Sequence, residues 1–296
     1  MPQVTHLLDE TFRRGIDQSV VTDYPLVFAA GNRQNVRLID INGKVASHVA
    51  FVPREIVHDG CRITAGMLGS VATNPQYRGQ GLAGALIDDA LSKMQHGGCD
   101  IALLWTKIPD YFHAAGWVPT ASNGWAYTLH RHEADRFTLH HHVRAISPDT
   151  DLDAILALHE RLPRRVARSR AQCHALLTLP KVNVLVAEEG NRPVAYVVVA
   201  HGYNKYGVLE WAGDESAFES LLAGVARTLG DELPVLVARH DEPAIGLLSQ
   251  RLESPPKPME QVTPSGVQMV RVLNPGVRPR IASEPIELFI SPLDFV

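Results

Sequence analysis

The strongest chemical signal in this chain is the run Arg78-Gly79-Gln80-Gly81-Leu82-Ala83-Gly84. The first N–H groups of a helix have no partner within it, and its dipole places partial positive charge there. Glycines let the backbone approach a bound anion, and Arg78 adds a full positive charge, so the run predicts a phosphate or pyrophosphate site. The flanking elements agree. Met67–Thr73 is small and apolar, as in a buried strand, and Asn74-Pro75 signals a turn. Leu82, Leu86, Ala90 and Met94 recur at helical spacing, Ile87 and Leu91 widen the stripe, and Gly97-Gly98 ends it.

Three phosphate-binding patterns compete for this loop. A P-loop would close with Gly-Lys-Ser/Thr, and none is present. Gly79, Gly81 and Gly84 spell the dinucleotide fingerprint, but Asn74 to Arg78 separate them from the strand. Asp100, at the separation of the fingerprint's acid, precedes its strand Ile101–Trp105 instead of ending it. The third pattern is Arg-x-x-Gly-x-Ala, on Arg78, Gly81 and Ala83, with Val71-Ala72-Thr73, Pro75 and Tyr77 ahead of it. This resembles motif A of the GNAT N-acetyltransferases. The resemblance implies that Arg78, Gly79, Gln80, Gly81, Leu82, Ala83 and Gly84 grip the pyrophosphate of acetyl-CoA. It also implies that the preceding strand splays from its parallel neighbour. Val71, Ala72 and Thr73 then bind the cosubstrate, with the backbone of Val71 and Thr73 pairing to pantetheine and an N–H near Val71 polarising the thioester.

Pro109-Asp110-Tyr111-Phe112-His113-Ala114-Ala115-Gly116-Trp117 resembles the superfamily's motif B, whose tyrosine protonates the departing thiolate. The family position of that tyrosine is Phe112 here; either the loop shifts by one and Tyr111 serves, or Tyr111 is a core aromatic. Counting back from Arg78 to where some members carry a glutamate base reaches Met67, which cannot take a proton. Glu55 is then the candidate base on a neighbouring strand, with His58 and His48 beside it, acting directly or through water. Solvent-mediated base catalysis is the alternative.

Composition sets limits on the rest. The 296 residues suffice for two ordinary domains, 45% are hydrophobic and 20% charged. A net charge of −4 and a pI near 6.4 argue against a nucleic-acid binder. The start lacks a signal-peptide pattern and no apolar run is long enough for a membrane span, which predicts a cytoplasmic protein. Cys61, Cys99 and Cys173 suggest buried thiols and not a disulfide framework. His130 and His132 share a strand face beside Glu133, but no second pair has zinc spacing, so no metal is expected.

Read in order, a helix is expected over residues 8–17, then Val36–Asp40, a turn at Asn42-Gly43, and the return strand Lys44–Val52. A second hairpin turns at Asp59-Gly60 and feeds the loop. An antiparallel meander followed by strand, loop, helix and strand predicts an α+β architecture, the GNAT fold by resemblance. From about Val143 the order restarts. Leu152, Ile155, Leu156, His159 and Leu162 mark a helix; Val182–Ala187, Val194–Ala200 and Val208–Ala212 are strands; Phe218, Leu221, Leu222, Val225 and Leu229 mark a second helix; Val235–Ala238 is a strand. Five arginines between Arg161 and Arg170 read as a solvated face or a domain contact.

Residues 1–145 are thus expected to be a catalytic GNAT domain and 146–296 a diverged GNAT-like domain with a C-terminal extension. Where the first half has Arg-Gly-Gln-Gly, the second has Gly213-Asp214-Glu215-Ser216, whose carboxylates cap a helix and repel a pyrophosphate. The tail, with Pro255, Pro256, Pro258 and Pro264, ends too apolar to hang free. By analogy with multidomain GNAT enzymes of the enhanced-intracellular-survival type, the Val296 carboxylate is a candidate base. The expected activity is acetyl transfer from acetyl-CoA to a primary amine of a small molecule or peptide. The alternative is a non-catalytic acyl-CoA-binding sensor. Acceptor and oligomeric state, a homo-oligomer included, stay open.

Overall fold

The computed structural model describes residues 1–121, 124–228, 231–262, 266–280 and 286–295. Leu229, Pro264 and Val296, named above, lie outside them. In chain order the first elements are α1 (Pro2–Phe12), α2 (Val20–Asp23), α3 (Pro25–Phe28), β1 (Val36–Ile41), β2 (Lys44–His58), β3 (Cys61–Thr73), α4 (Leu82–His96), β4 (Ile101–Thr106), α5 (Pro109–His113) and β5 (Val118–Pro119). Then come β6 (Gly124–His130), β7 (His142–Ala145), α6 (Pro148–Glu160), β8 (Arg164–Val166), α7 (Arg170–Leu177), β9 (Val182–Glu189), β10 (Arg192–His201) and β11 (Tyr206–Ala212). The last are α8 (Glu215–Thr228), β12 (Glu232–Ala238), α9 (Glu242–Arg251), β13 (Lys257–Pro258) and β14 (Val267–Val272).

These elements form an α+β structure of two mostly antiparallel sheets flanked by helices. Contacts divide the chain into two compact units: Met1–Thr120 with Val267–Ile286 and Phe295–Val296, and Ala121–Gly266 with Glu287–Asp294. This differs from a single break at 145/146. The reason is strand pairing. β6 pairs with β12, Tyr127 opposite Val235, and so joins the second unit. β14 pairs with β4, Met269 opposite Leu104, and so returns to the first. The first helix also begins and ends earlier than expected, with Val4, Leu7 and Leu8 as its buried face.

The first unit's strands run in the order β1-β2-β3-β4-β14-β5. Hairpins at Asn42-Gly43 and Asp59-Gly60 have positive φ at all four residues, as tight turns require. α4 lies on the sheet through Leu86, Ile87, Ala90, Leu91 and Met94, against Val49, Phe51 and Leu68. The close approach is possible because β3 carries Gly66, where a Cβ would sit 2.4 Å from the Met94 sulfur. Gly66→Val is therefore expected to lower stability by about 1–3 kcal/mol through overpacking. A thermal midpoint equal to the parent's would refute that account.

Only Ala65, Gly66 and Met67 of β3 pair with β4, opposite Ile101, Ala102 and Leu103. Both strands continue beyond that point, so they splay and leave the β4-facing edge of Leu68–Thr73 open. The second unit repeats the plan. Its strand order is β13-β6-β12-β11-β10-β9-β7, and β11 runs parallel to β12 with pairing at Val208 and Val235. Val197, Phe218, Leu221, Leu222 and Val235 centre its core.

Candidate active site

The glycine loop opens α4. Gly79 and Gly81 have φ of 78° and 75°, a left-handed region that a side-chain-bearing residue enters at a cost of about 1–2 kcal/mol. A Cβ at either position would meet nothing within 4 Å, so space for a ligand lies over both. Gly81 is the N-cap, and no side chain caps it; the first turn contains no acid. The Ala85 N–H returns to the Gly81 carbonyl at 3.1 Å, which leaves Leu82, Ala83 and Gly84 as the helix's outward donors. Arg78 is exposed and anchors through Nε to the Thr73 carbonyl at 3.3 Å, which ties the loop's cation to the end of β3. Gln80 is exposed beside it. Uncapped donors, a cation and an open cradle fit the polyphosphate end of a nucleotide-bearing cosubstrate.

The open edge carries the other expected positions. Ala72 is buried, and Val71 and Thr73 are half-buried. The Ser47 hydroxyl donates to the Ala72 carbonyl at 3.2 Å and lies 2.9 Å from the Thr73 hydroxyl, which holds the strand end in place. Motif B splits as its sequence hinted. Phe112 is buried edge-on against Trp117, with ring centroids 6.0 Å apart. Tyr111 is 49% exposed, and its hydroxyl sits 3.8 Å from where a Gly84 Cβ would be, over the first turn of α4.

Glu55 is not brought to this place. It pairs with Arg62 across the hairpin and stands opposite Thr64, on the Asp59-Gly60 side of the last β3–β4 pair. The open edge lies on the other side of that pair. β2 continues through Pro53, opposite Gly66, so Glu55 is carried toward the far turn. His58 is next to that turn, opposite Cys61. His48, by contrast, is opposite Ala72 at the open edge. Phe295 lies against Trp105 near the end of β4, ring centroids 4.3 Å apart.

The corresponding loop of the second unit is closed to anions. Asp214 accepts from the Ala217 N–H at 2.8 Å and the Ser216 hydroxyl at 2.9 Å. The Ala217 bond, more than any other cause, holds the Asp214 carboxyl below its ordinary range, so it is charged at neutral pH. His132, Glu133 and Glu253 bring ligand atoms within 4.8 Å of one another. Their oxygens are engaged: Glu133 accepts the His130 and Glu253 N–H groups, and Glu253 pairs with Arg136. Burial pushes the Cys99 and Cys173 thiols up to about 11, so neither is a nucleophile at neutral pH. No described helix is long and apolar enough to cross a membrane.

The comparisons with known proteins point to an acyltransferase, a class this fold and loop would suit. Residues 1–120 match the family model for an acetyltransferase (GNAT) domain. A GCN5-related N-acetyltransferase from Anabaena variabilis superposes with a TM-score of 0.70 at 18% identity, over 92% of this chain and 70% of that one. One from Kribbella flavida gives 0.66 at 16% identity, over 92% and 69%. A protein from Enterococcus faecalis described as a probable N-acyltransferase gives 0.68 at 14%, over 92% and 70%. These likenesses extend the shared fold beyond residue 120 into the second unit. No curated protein matches the chain in sequence.

Proposed function

We propose that this chain transfers an acetyl group from acetyl-CoA to a primary amine of a small molecule or peptide. The uncapped start of α4, with Arg78 folded beside it, is the observation that carries this reading. The pyrophosphate is held by the Leu82, Ala83 and Gly84 N–H groups and Arg78. The pantetheine lies along the open edge of β3. The neutral amine attacks the thioester carbonyl carbon; the C–N bond forms, and negative charge gathers on the carbonyl oxygen, which a backbone N–H near Val71 stabilises. Collapse of this intermediate breaks the C–S bond. The nitrogen's proton leaves to water, since Glu55 is remote and already paired. Tyr111 gives its phenolic proton to the leaving thiolate and is restored from solvent. Three free cysteines support a reducing compartment such as the cytoplasm.

Release of free CoA thiol from acetyl-CoA in the presence of a panel of amines tests the reading. Tyr111→Phe is expected to lower kcat by about 100-fold, the lower range for a lost general acid, with KM for acetyl-CoA little changed. Equal kcat in parent and variant would remove Tyr111 from the mechanism. Tight CoA binding with no turnover on any amine would instead favour the sensor reading, which the distance of Glu55 from the open edge already supports.

A further inference from the structure

We propose that His48 is a positioning residue that fixes and polarises the peptide joining Ser70 to Val71, and thereby aims the Val71 N–H at the developing oxyanion. The proposal rests on the acyl-transfer reading above. β3 is interrupted at Ser70, which has φ of 55° although it is not glycine. The register jumps there: His48 faces Ala72, but Ala50 faces Gly69, so Ser70 and Val71 together oppose Val49. That is a β-bulge, a device that re-aims backbone groups beside functional sites. It falls just past Met67, where β3 and β4 part.

His48 Nδ1 lies 2.9 Å from the Ser70 carbonyl oxygen. A carbonyl only accepts, so Nδ1 carries the proton and donates. Burial, the larger influence, pushes the ring's pKa down, against the Ser70 bond that raises it. The ring is therefore neutral and leaves a lone pair on Nε2. That atom is buried with no hydrogen-bond partner. The whole residue is inaccessible, its ring stacked on Phe28 with centroids 6.1 Å apart. A leucine or phenylalanine would fill this place without an orphaned acceptor, so packing alone does not account for an imidazole.

The peptide geometry supplies an account. In a planar trans peptide the C=O and N–H point to opposite sides. With the Ser70 oxygen turned onto His48, the Val71 N–H is directed away from it. A donor on the Ser70 oxygen also draws electron density through the amide and strengthens the Val71 N–H as a donor. The imidazole thus acts on the reaction through one peptide unit, without touching substrate.

The test compares His48→Phe, His48→Asn and His48→Gln in steady-state acetyl transfer and in backbone NMR of the Ser70 carbonyl carbon and Val71 amide nitrogen. An Asn amide places its N–H where Nδ1 stands, and a Gln amide places it near Nε2. His48→Phe is expected to lower kcat about ten-fold, part of the ~10²–10³ for a whole oxyanion donor, with KM for acetyl-CoA within about two-fold. Asn is expected to recover most of the loss and Gln little. Unchanged kcat in Phe, or equal rates in Asn and Gln, would overturn the proposal. If Phe does not fold, the Asn–Gln pair decides. A parent enzyme without turnover would overturn the acyl-transfer reading alone. The NMR comparison then decides the clamp: shifts displaced in Gln but not in Asn support it, and equal shifts in both refute it.

Discussion

Arg78→Ala combined with Gly81→Asp is expected to weaken acetyl-CoA binding by at least about 100-fold, or roughly 3 kcal/mol. Each change removes a separate part of the anion site. Arg78 supplies the loop's full positive charge, and a hydrogen bond involving a charged group contributes about 1.5–3 kcal/mol. Aspartate at position 81 does more than fill space. It stands at the N-cap, where a carboxylate bonds the next N–H groups of α4 and satisfies the donors the ligand would use. It also adds negative charge at the helix's positive end. The same φ of 75° that glycine accepts freely strains the new residue, so part of the effect falls on stability. Calorimetry with CoA, alongside a melting curve, separates the two. Parent protein is expected to bind one CoA per chain, because Asp214 already performs this capping in the second unit. Two sites per chain would contradict the assignment of Asp214, and undiminished affinity in the double variant would contradict the loop.

The geometry of the glycine loop was legible because its determinants are local. Glycine at positive φ, an arginine and a helical stripe all lie within one short stretch, and the structure uses each of them. The repeat of the fold was legible for the same reason, from hairpin turns and strand spacing. Non-local pairing was not. Nothing near residue 124 indicates that β6 pairs with β12, and nothing in Val267–Val272 indicates β4 as its partner. That is why the unit boundary differs from the expected one. Glu55 was expected on a strand neighbouring the cleft; β2 runs unbroken from Lys44 to His58 and carries it toward the Asp59-Gly60 turn. The bulge at Ser70 was not legible in sequence, since a serine there reads as ordinary strand and its partner His48 is one of several polar residues on the neighbour strand. The arginine run conceals the largest surprise. Arg168 is buried instead of facing solvent, and its partners stand 42 and 126 residues away.

Arg168→Met is expected to destabilise the second unit by about 3–5 kcal/mol, the range for a buried ion pair broken from one side. Its guanidinium bonds both Glu210 oxygens, at 2.8 and 2.6 Å, and the Asp294 carboxylate, with Nε to Oδ1 at 3.2 Å. Glu210 also accepts from the Tyr196 hydroxyl at 2.8 Å, and Lys205 donates to the Leu293 carbonyl at 2.9 Å. Removing the arginine leaves two carboxylates buried with one cation fewer. Replacing Arg168 and both its carboxylate partners by apolar groups, as in Arg168→Met with Glu210→Leu and Asp294→Leu, is expected to recover part of the loss, because the two carboxylates that the single variant leaves buried are removed with it, while the buried Lys205 remains. The cluster also fixes the direction of acid unfolding. Burial alone would push the Glu210 carboxyl up, but the Arg168 charge, the largest opposing influence, holds it well below its ordinary value. A depressed folded pKa gives stability that is present above the unfolded carboxylate value, about 4.3, and lost as the pH falls below it. Urea midpoints from neutral to acid pH are the measurement. The parent's midpoint should fall steeply below about pH 4, and the triple variant's less so. A single variant as stable as the parent would show that the cluster's charges are solvated and the ion pairs carry no weight in holding the second unit together.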